Sequence, residues 1–259
     1  MAVKFLQALG IAAALLTAPT VHAEDIKQQT VYTLSFSGIK IADAVFNTTV
    51  ADDKYNINAD IEAAGIGSLF TSIAVKVDAD GLWKNGKPET REFQLIYRDG
   101  DYARDYAATF TNKRVTSSSI EPDPGPRGEN WVEVKSKHLR DVIDPVSALL
   151  LPPSKNPCAT TISIFDGETR LELEMASAGN RPFSTKGFSG RAIGCAIRFR
   201  PVAGYERKDE DIEYLANSRE LVVWFAYNEE LNVFAPVMAH IPLKIGRLTI
   251  YASKFGLPR

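Results

Sequence analysis

The sequence predicts an all-β chain: a strongly curved antiparallel sheet, open or partly closed into a barrel, with one or two short helices. Three observations carry this reading. Apolar and polar residues alternate with period two along most of the chain, as they do in half-buried strands. Short turn signals such as Ser37-Gly38 and Asp99-Gly100 separate the alternating runs, so consecutive strands are antiparallel neighbours. The runs number about a dozen, and a sheet that large curls or closes.

The elements follow in order. Tyr32, Leu34 and Phe36 alternate with Thr33 and Ser35, and Ala42, Ala44, Phe46 and Thr48 continue beyond Ser37-Gly38. Tyr55, Ile57, Ala59, Ile61 and Ala63 follow a turn at Asp52-Asp53. Ile73, Val75 and Val77 lead to an expected turn at Asp80-Gly81, and Phe93, Leu95 and Tyr97 lead to Asp99-Gly100. Ile162 and Ile164 run into Asp166-Gly167, a hairpin signal, and Leu171, Leu173 and Met175 return. Residues 191–200 and 246–255 complete the series.

Some segments break the pattern. Glu121–Gly128 carries three prolines and two glycines and is expected as an exposed loop. Residues 144–151 read as a short helix, with Asp144 capping it, Pro145 in its first position and Pro152-Pro153 ending it. Ile66–Thr71 suggests one more helical turn, and the charged run Lys208–Glu213 a solvated loop. Leu221–Tyr227 is apolar on both faces and needs cover on both; the 144–151 helix is the expected cover. Pro236 and Pro242 cannot donate to a ladder, so their strand is expected at an edge or with bulges.

The first 23 residues have the plan of a cleavable secretory signal. Lys4 gives a positive start, Phe5–Ala18 is almost wholly apolar, and Val21-His22-Ala23 suits a signal peptidase. The apolar run is shorter than the roughly 20 residues of a spanning helix. No cysteine stands near the cleavage point, so an exported protein without a lipid anchor is expected, with residues 24–259 as a single all-β domain. The formal net charge is −2, from 30 basic and 32 acidic residues, which gives no support to a nucleic-acid partner.

Cys158 and Cys195 are the two cysteines. In an exported chain such a pair reads first as a disulfide. A redox-active pair lacks Cys-x-x-Cys spacing, and two buried thiols are the remaining alternative. His138 and His240 stand singly, so the sequence offers no metal site. Gly187–Arg191 lacks the second glycine of a nucleophile elbow and reads as a flexible connecting loop, and Asp78–Gly81 lacks the closing acid of a calcium loop. No cofactor and no catalytic residue is predicted, and a non-enzymatic protein is expected.

Asp144-Pro145-Val-Ser-Ala148, Phe165-Asp166-Gly167, Cys195 and Pro201-Val-Ala-Gly204-Tyr205 occur in this order. In these motifs the chain resembles the bacterial periplasmic domain-of-unknown-function family 3108, over about Tyr32 to Phe255. The resemblance implies a curved antiparallel sheet that partly wraps a short helical segment. It also implies a periplasmic location, and a shape similar to the open barrels of carriers that hold the acyl chains of lipoproteins. It brings no catalytic residues.

Two functions are expected to compete, with an uncharacterised enzyme as a weaker third alternative. In one, the concave face binds a lipid or other apolar ligand, with Trp83, Phe93, Tyr97, Trp224 and Phe225 as candidate lining. In the other, the interior is packed and the protein is a structural or interaction module of the cell envelope, with an envelope protein as its partner. An outer-membrane barrel fits poorly with Pro236 and Pro242.

Overall fold

The computed structural model describes residues 25–69 and 71–258; the expected signal segment lies outside the described residues. The alternating runs form strands β1 (Ile26–Phe36), β2 (Ile39–Ala51), β3 (Lys54–Ala63), β4 (Ala74–Lys84), β5 (Lys87–Asp99), β6 (Tyr102–Thr111) and β7 (Arg114–Glu121). The later runs form β8 (Trp131–Val132), β9 (Thr161–Phe165), β10 (Arg170–Thr185), β11 (Phe188–Ala203), β12 (Tyr205–Glu206), β13 (Val222–Asn228), β14 (Val233–Leu243) and β15 (Gly246–Pro258). Thirteen of these make one sheet in the order β7-β6-β5-β4-β3-β2-β1-β15-β14-β13-β11-β10-β9, and β8 pairs with β12 apart from it. Neighbours are antiparallel throughout. The N-terminal and C-terminal strands β1 and β15 meet in the middle of the sheet, so the sheet is assembled from both ends of the chain.

Turn chemistry fixes the register. Ser37 and Gly38 both have positive φ, as do Asn85 and Gly86, the geometry a two-residue hairpin needs. The Asn85-Gly86 turn corrects the one expected at Asp80-Gly81. Strand β4 runs straight through Gly81, where the register against β5 shifts between Asp80 and Gly81. A Cβ on Gly81 would lie 2.1 Å from the Glu89 carbonyl oxygen, so this glycine serves close backbone approach at a bulge. Gly204 is a second such position. Its φ is +78°, and a Cβ there would lie 2.0 Å from the Glu168 carbonyl oxygen. Gly204→Ala is expected to cost at least about 2 kcal/mol, from backbone strain and displacement together, readable as a lower urea midpoint.

Three other expectations need revision, and one made with two alternatives is decided. The 144–151 segment forms only a 3₁₀ turn over Ser147–Leu149. It stops because Leu151 leaves the helix to exchange both backbone hydrogen bonds with Phe234 of β14, at 2.9 and 2.8 Å. The Lys208–Glu213 run is not a loop but the start of helix α1 (Glu210–Asn217). Asp209 caps it, accepting from the Asp211 and Ile212 amides at 3.0 Å each. The proline-bearing strand β14 lies inside the sheet, between β13 and β15. It tolerates Pro236 through the alternative expected, a bulge: Trp224 faces Met238 and Phe225 faces Pro236, leaving Val237 over. The loop at Gly187–Arg191 is mostly strand, since β11 begins at Phe188.

Strand β13 is covered on both faces, but by two different elements. Val223 and Phe225 pack in a cluster with Leu151, Cys158 and Cys195. Trp224 lies against the long β10–β11 hairpin, with the Arg181 guanidinium 5.9 Å from its ring centre. That hairpin folds back across β15: Phe255 N–H donates to the Lys186 carbonyl at 3.0 Å, and Phe188 meets Phe255 edge-on at 5.4 Å.

Candidate functional site

Residues 140–151 form a strap inside the curve of the sheet, and the strap joins the sheet's two edges. The Val142 amide donates to the Lys113 carbonyl beside edge strand β7, at 3.0 Å. The next amide, Ile143, donates to Ser163 on edge strand β9, and Phe165 of β9 donates back to Ile143, both at 3.0 Å. The ladder itself does not close, yet its two open edges, otherwise templates for pairing with another chain, are tied together by one dipeptide.

A buried polar network holds the strap. Asp144 Oδ1 accepts from the Val146 and Ser147 amides, at 2.9 Å each, and Oδ2 accepts from the Thr90 hydroxyl of β5. The Tyr55 hydroxyl of β3 donates to Thr90 at 3.3 Å and lies 2.7 Å from Ser147 Oγ. All four residues are buried. Burial pushes the Asp144 carboxyl above the usual carboxylate range, against the pull of its hydrogen bonds. Burial, then the Asp144 charge, pushes the Tyr55 phenol up as well.

Beyond the network, the strap and the sheet enclose an apolar cavity of about 240 Å³. Val146, Leu149 and Leu150 form its wall on the strap. Tyr32 and Leu34 of β1, Phe46 of β2, Ile57 and Ile61 of β3, and Ile250 of β15 are among its walls on the sheet. The Tyr32 hydroxyl is satisfied by the Pro236 carbonyl at 2.7 Å, and burial raises its pKa.

The two ends of the cavity differ. At one end Gln28, Asn228 and Leu231 are buried. Gln28 donates to Glu230 at 2.7 Å, Asn228 donates to Gln28, and the Leu231 amide donates to Asn228 at 3.0 Å; this polar plug seals that end. At the other end Leu34, Ile61, Ile241 and Ile250 are only half-buried. These four stand within a few residues of the β1–β2 turn, the β3–β4 connection and the β14–β15 turn, so the end of the cavity beside those turns is walled by half-buried aliphatic side chains.

None of the five aromatic residues expected as lining is among the residues that line this cavity. Phe93 is buried with Val142 and Phe165, on the strap's edge-joining side. Phe225 belongs to the cluster around the cysteines. Trp83 meets Tyr55 edge-on at 5.9 Å, Tyr97 meets Tyr102 at 5.8 Å, and Trp224 lies beneath the β10–β11 hairpin beside His240 at 4.8 Å. The true walls were already visible as the apolar sides of β1, β2 and β3. Side-chain size singles out the tryptophans, whereas alternation marks the inner face.

Cys158 and Cys195 are joined as a disulfide, with Cα atoms 5.3 Å apart. It ties the chain that leaves the strap to β11, and both sulfurs lie in the cluster that includes Leu151. Removing it is expected to cost about 4 kcal/mol by loop entropy; a Cys158→Ser, Cys195→Ser double variant should show the loss in chemical denaturation. His138 Nδ1 accepts from the Lys135 amide at 3.1 Å, and burial lowers the pKa of His240. Both histidines have structural settings.

The short motifs read from the sequence gather around the strap. Asp144–Ala148 is the strap itself, Phe165 bonds to it, and Asp166 caps the following turn by accepting from the Glu168 and Thr169 amides at 3.0 and 2.6 Å. Gly204 rests against that same turn. No curated protein matches the chain. Among solved structures, a β-barrel-like protein of the domain of unknown function DUF1849 from Brucella abortus is similar at 8% identity and a TM-score of 0.44, over 88% of this chain and 96% of that one. The model of the family described as protein of unknown function DUF3108 matches residues 31–253. The chain belongs to the DUF3108 family.

Proposed function

We propose that this is an exported, non-enzymatic protein of the periplasm that holds an apolar chain, such as the acyl chain of a lipid, in the cavity between strap and sheet. The observation that carries the reading is the cavity: about 240 Å³, walled mainly by aliphatic and aromatic side chains and plugged at one end by buried polar groups, with the half-buried aliphatic end taken as its mouth. Ligand sites are concave and mostly apolar. An interior that served only to stabilise the fold would be filled, because each void forfeits packing energy.

The volume falls just under the roughly 300–1,000 Å³ of sites for drug-sized ligands. Part of a chain fits as the cavity stands, and a longer one must displace the strap wall at Leu149 and Leu150. The disulfide accords with an oxidising compartment. The polar groups in the concavity are committed to one another and to the strap backbone, which supports a binding role over acid–base chemistry. Among the described residues no helix is long and apolar enough to cross a membrane.

The test is titration of the purified protein with cis-parinaric acid, a fluorescent fatty acid. Saturable enhancement at one probe per chain is expected. Absence of enhancement at protein concentrations well above the probe's would overturn the reading and leave the structural envelope module in its place.

A further inference from the structure

The turns around the cavity mouth expose aliphatic side chains. Ile39 begins β2, Ile66 and Leu69 lie in the 3₁₀ turn between β3 and β4, and Ile245 sits in the β14–β15 turn. They are 54%, 44%, 77% and 84% exposed, respectively. Strands β3, β2, β1, β15 and β14 are consecutive neighbours in the sheet. Their turns on this side therefore follow one another along a single rim, beside the half-buried cavity residues Leu34, Ile61, Ile241 and Ile250. The β3–β4 connection is also uncharged: no Asp, Glu, Lys or Arg occurs between Glu62 and Lys76.

Beside these tips stands a belt of paired charges. Lys40 lies 2.6 Å from Asp43, Lys244 contacts Glu210, and Arg247 lies 4.0 Å from Glu220. Tyr214 is exposed beside Lys244. Aliphatic tips flanked by a tyrosine and by charges suit a membrane interface, where apolar groups enter the acyl boundary and amphipathic rings and charges stay at headgroup level. Each of these cations has a carboxylate beside it, Asp209 and Asp211 also act on Lys244, and Asp99 accepts from Thr71 in the β3–β4 connection, so the belt carries no cationic excess. It complements a headgroup that itself carries phosphate and amine better than it complements a purely anionic surface. Protein hot spots, by contrast, favour tryptophan, tyrosine and arginine anchors over leucine.

We propose that this rim docks the cavity mouth onto the surface of a zwitterionic phospholipid bilayer, with Ile39, Ile66, Leu69 and Ile245 entering the acyl boundary. The proposal rests on the cavity reading only for what would pass through the mouth; docking itself rests on the rim. It is tested by co-sedimentation with vesicles of phosphatidylcholine and phosphatidylethanolamine, in parallel with cis-parinaric acid uptake from vesicle-free solution. The variants are Ile66→Asp with Leu69→Asp, and Ile39→Asp with Ile245→Asp. All four positions are exposed, and circular dichroism checks that the fold is kept.

The wild-type protein is expected to sediment with the vesicles at both low and high salt. Each double variant should lower the bound fraction at least tenfold while probe uptake stays unchanged. Vesicle binding without probe uptake would support docking and overturn the cavity reading. A wild-type protein that stays in the supernatant overturns docking, as do variants that bind vesicles like wild type. A rim that pairs two copies, seen as a dimer that the variants convert to monomer without any vesicle binding, also overturns it.

Discussion

Asp144→Ala is expected to destabilise the strap, lowering stability by about 2–4 kcal/mol. The carboxylate caps the 3₁₀ turn by accepting from Val146 and Ser147, and it accepts from Thr90. The lost cap leaves the Val146 and Ser147 amides unpaired and costs about 1 kcal/mol, and the buried Thr90 hydroxyl left without its acceptor costs about 1–3 kcal/mol more. The loss should reach beyond the turn, because the strap joins strands β7 and β9 through Val142 and Ile143. Equilibrium urea unfolding measures the loss, and hydrogen exchange at the Val142 and Ile143 amides should report the freed edges.

Asp144→Asn separates hydrogen bonding from charge. The amide keeps an acceptor oxygen for the Val146 and Ser147 amides but cannot ionise. In the wild-type protein burial raises the Asp144 pKa, so the folded state holds this proton more tightly than the unfolded chain does. The stabilisation from that proton is full below the unfolded value, near about 3.9, and is lost as pH rises through the folded value. Wild-type stability measured against Asp144→Asn is therefore expected to fall from acid toward neutral pH. A difference that stays flat, or one that rises with pH, contradicts a carboxyl raised by burial.

Ala44→Phe is expected to abolish ligand uptake while the protein still folds. Ala44 is buried, lines the cavity from β2 and sits opposite Tyr32 in the β1–β2 ladder. A phenyl group there would occupy space the cavity leaves open. Overpacking a filled core costs typically about 1–3 kcal/mol, and the void should keep this substitution toward the lower end. The binding constant for cis-parinaric acid should weaken by at least tenfold, with the urea midpoint changed little. Leu150→Ala on the facing strap wall should act in the opposite sense. It enlarges the cavity, costs about 2–5 kcal/mol if the site does not collapse, and admits bulkier probes.

Much of the sheet is legible in the sequence because strand periodicity is local. Tyr32–Phe36, Ala42–Thr48 and Tyr55–Ala63 alternate as strands should, and the structure places them in β1, β2 and β3 with turns at Ser37-Gly38 and Asp52-Asp53. The same locality misleads at Asp80-Gly81, where the glycine answers to the Glu89 backbone across the ladder and not to a turn. The charged run at 208–213 conceals helix α1 because its short apolar side, Ile212 and Leu215, begins where the charges dominate.

The site was less legible because it depends on contacts distant in sequence. Asp144 is recognisable as a cap, but its link to Thr90 spans 54 residues and carries no period. The strap's helix reads longer than it is because Leu151 is claimed by Phe234. Trp224 and Phe225 look like lining because β13 is apolar on both faces. The back-folded β10–β11 hairpin covers one of those faces, and nothing local to β13 announces it. The cysteine pair was more tractable, since the export expected from the first 23 residues narrows its chemistry and the bridge in the structure agrees.

The central claim, that the cavity between strap and sheet holds an apolar chain, is tested most directly by native mass spectrometry of the protein purified from its own host. The account predicts a population heavier than the polypeptide by the mass of a lipid or fatty acid, absent from Ala44→Phe prepared in the same way. A single apo mass for the wild-type protein, together with no uptake of added cis-parinaric acid, would contradict it.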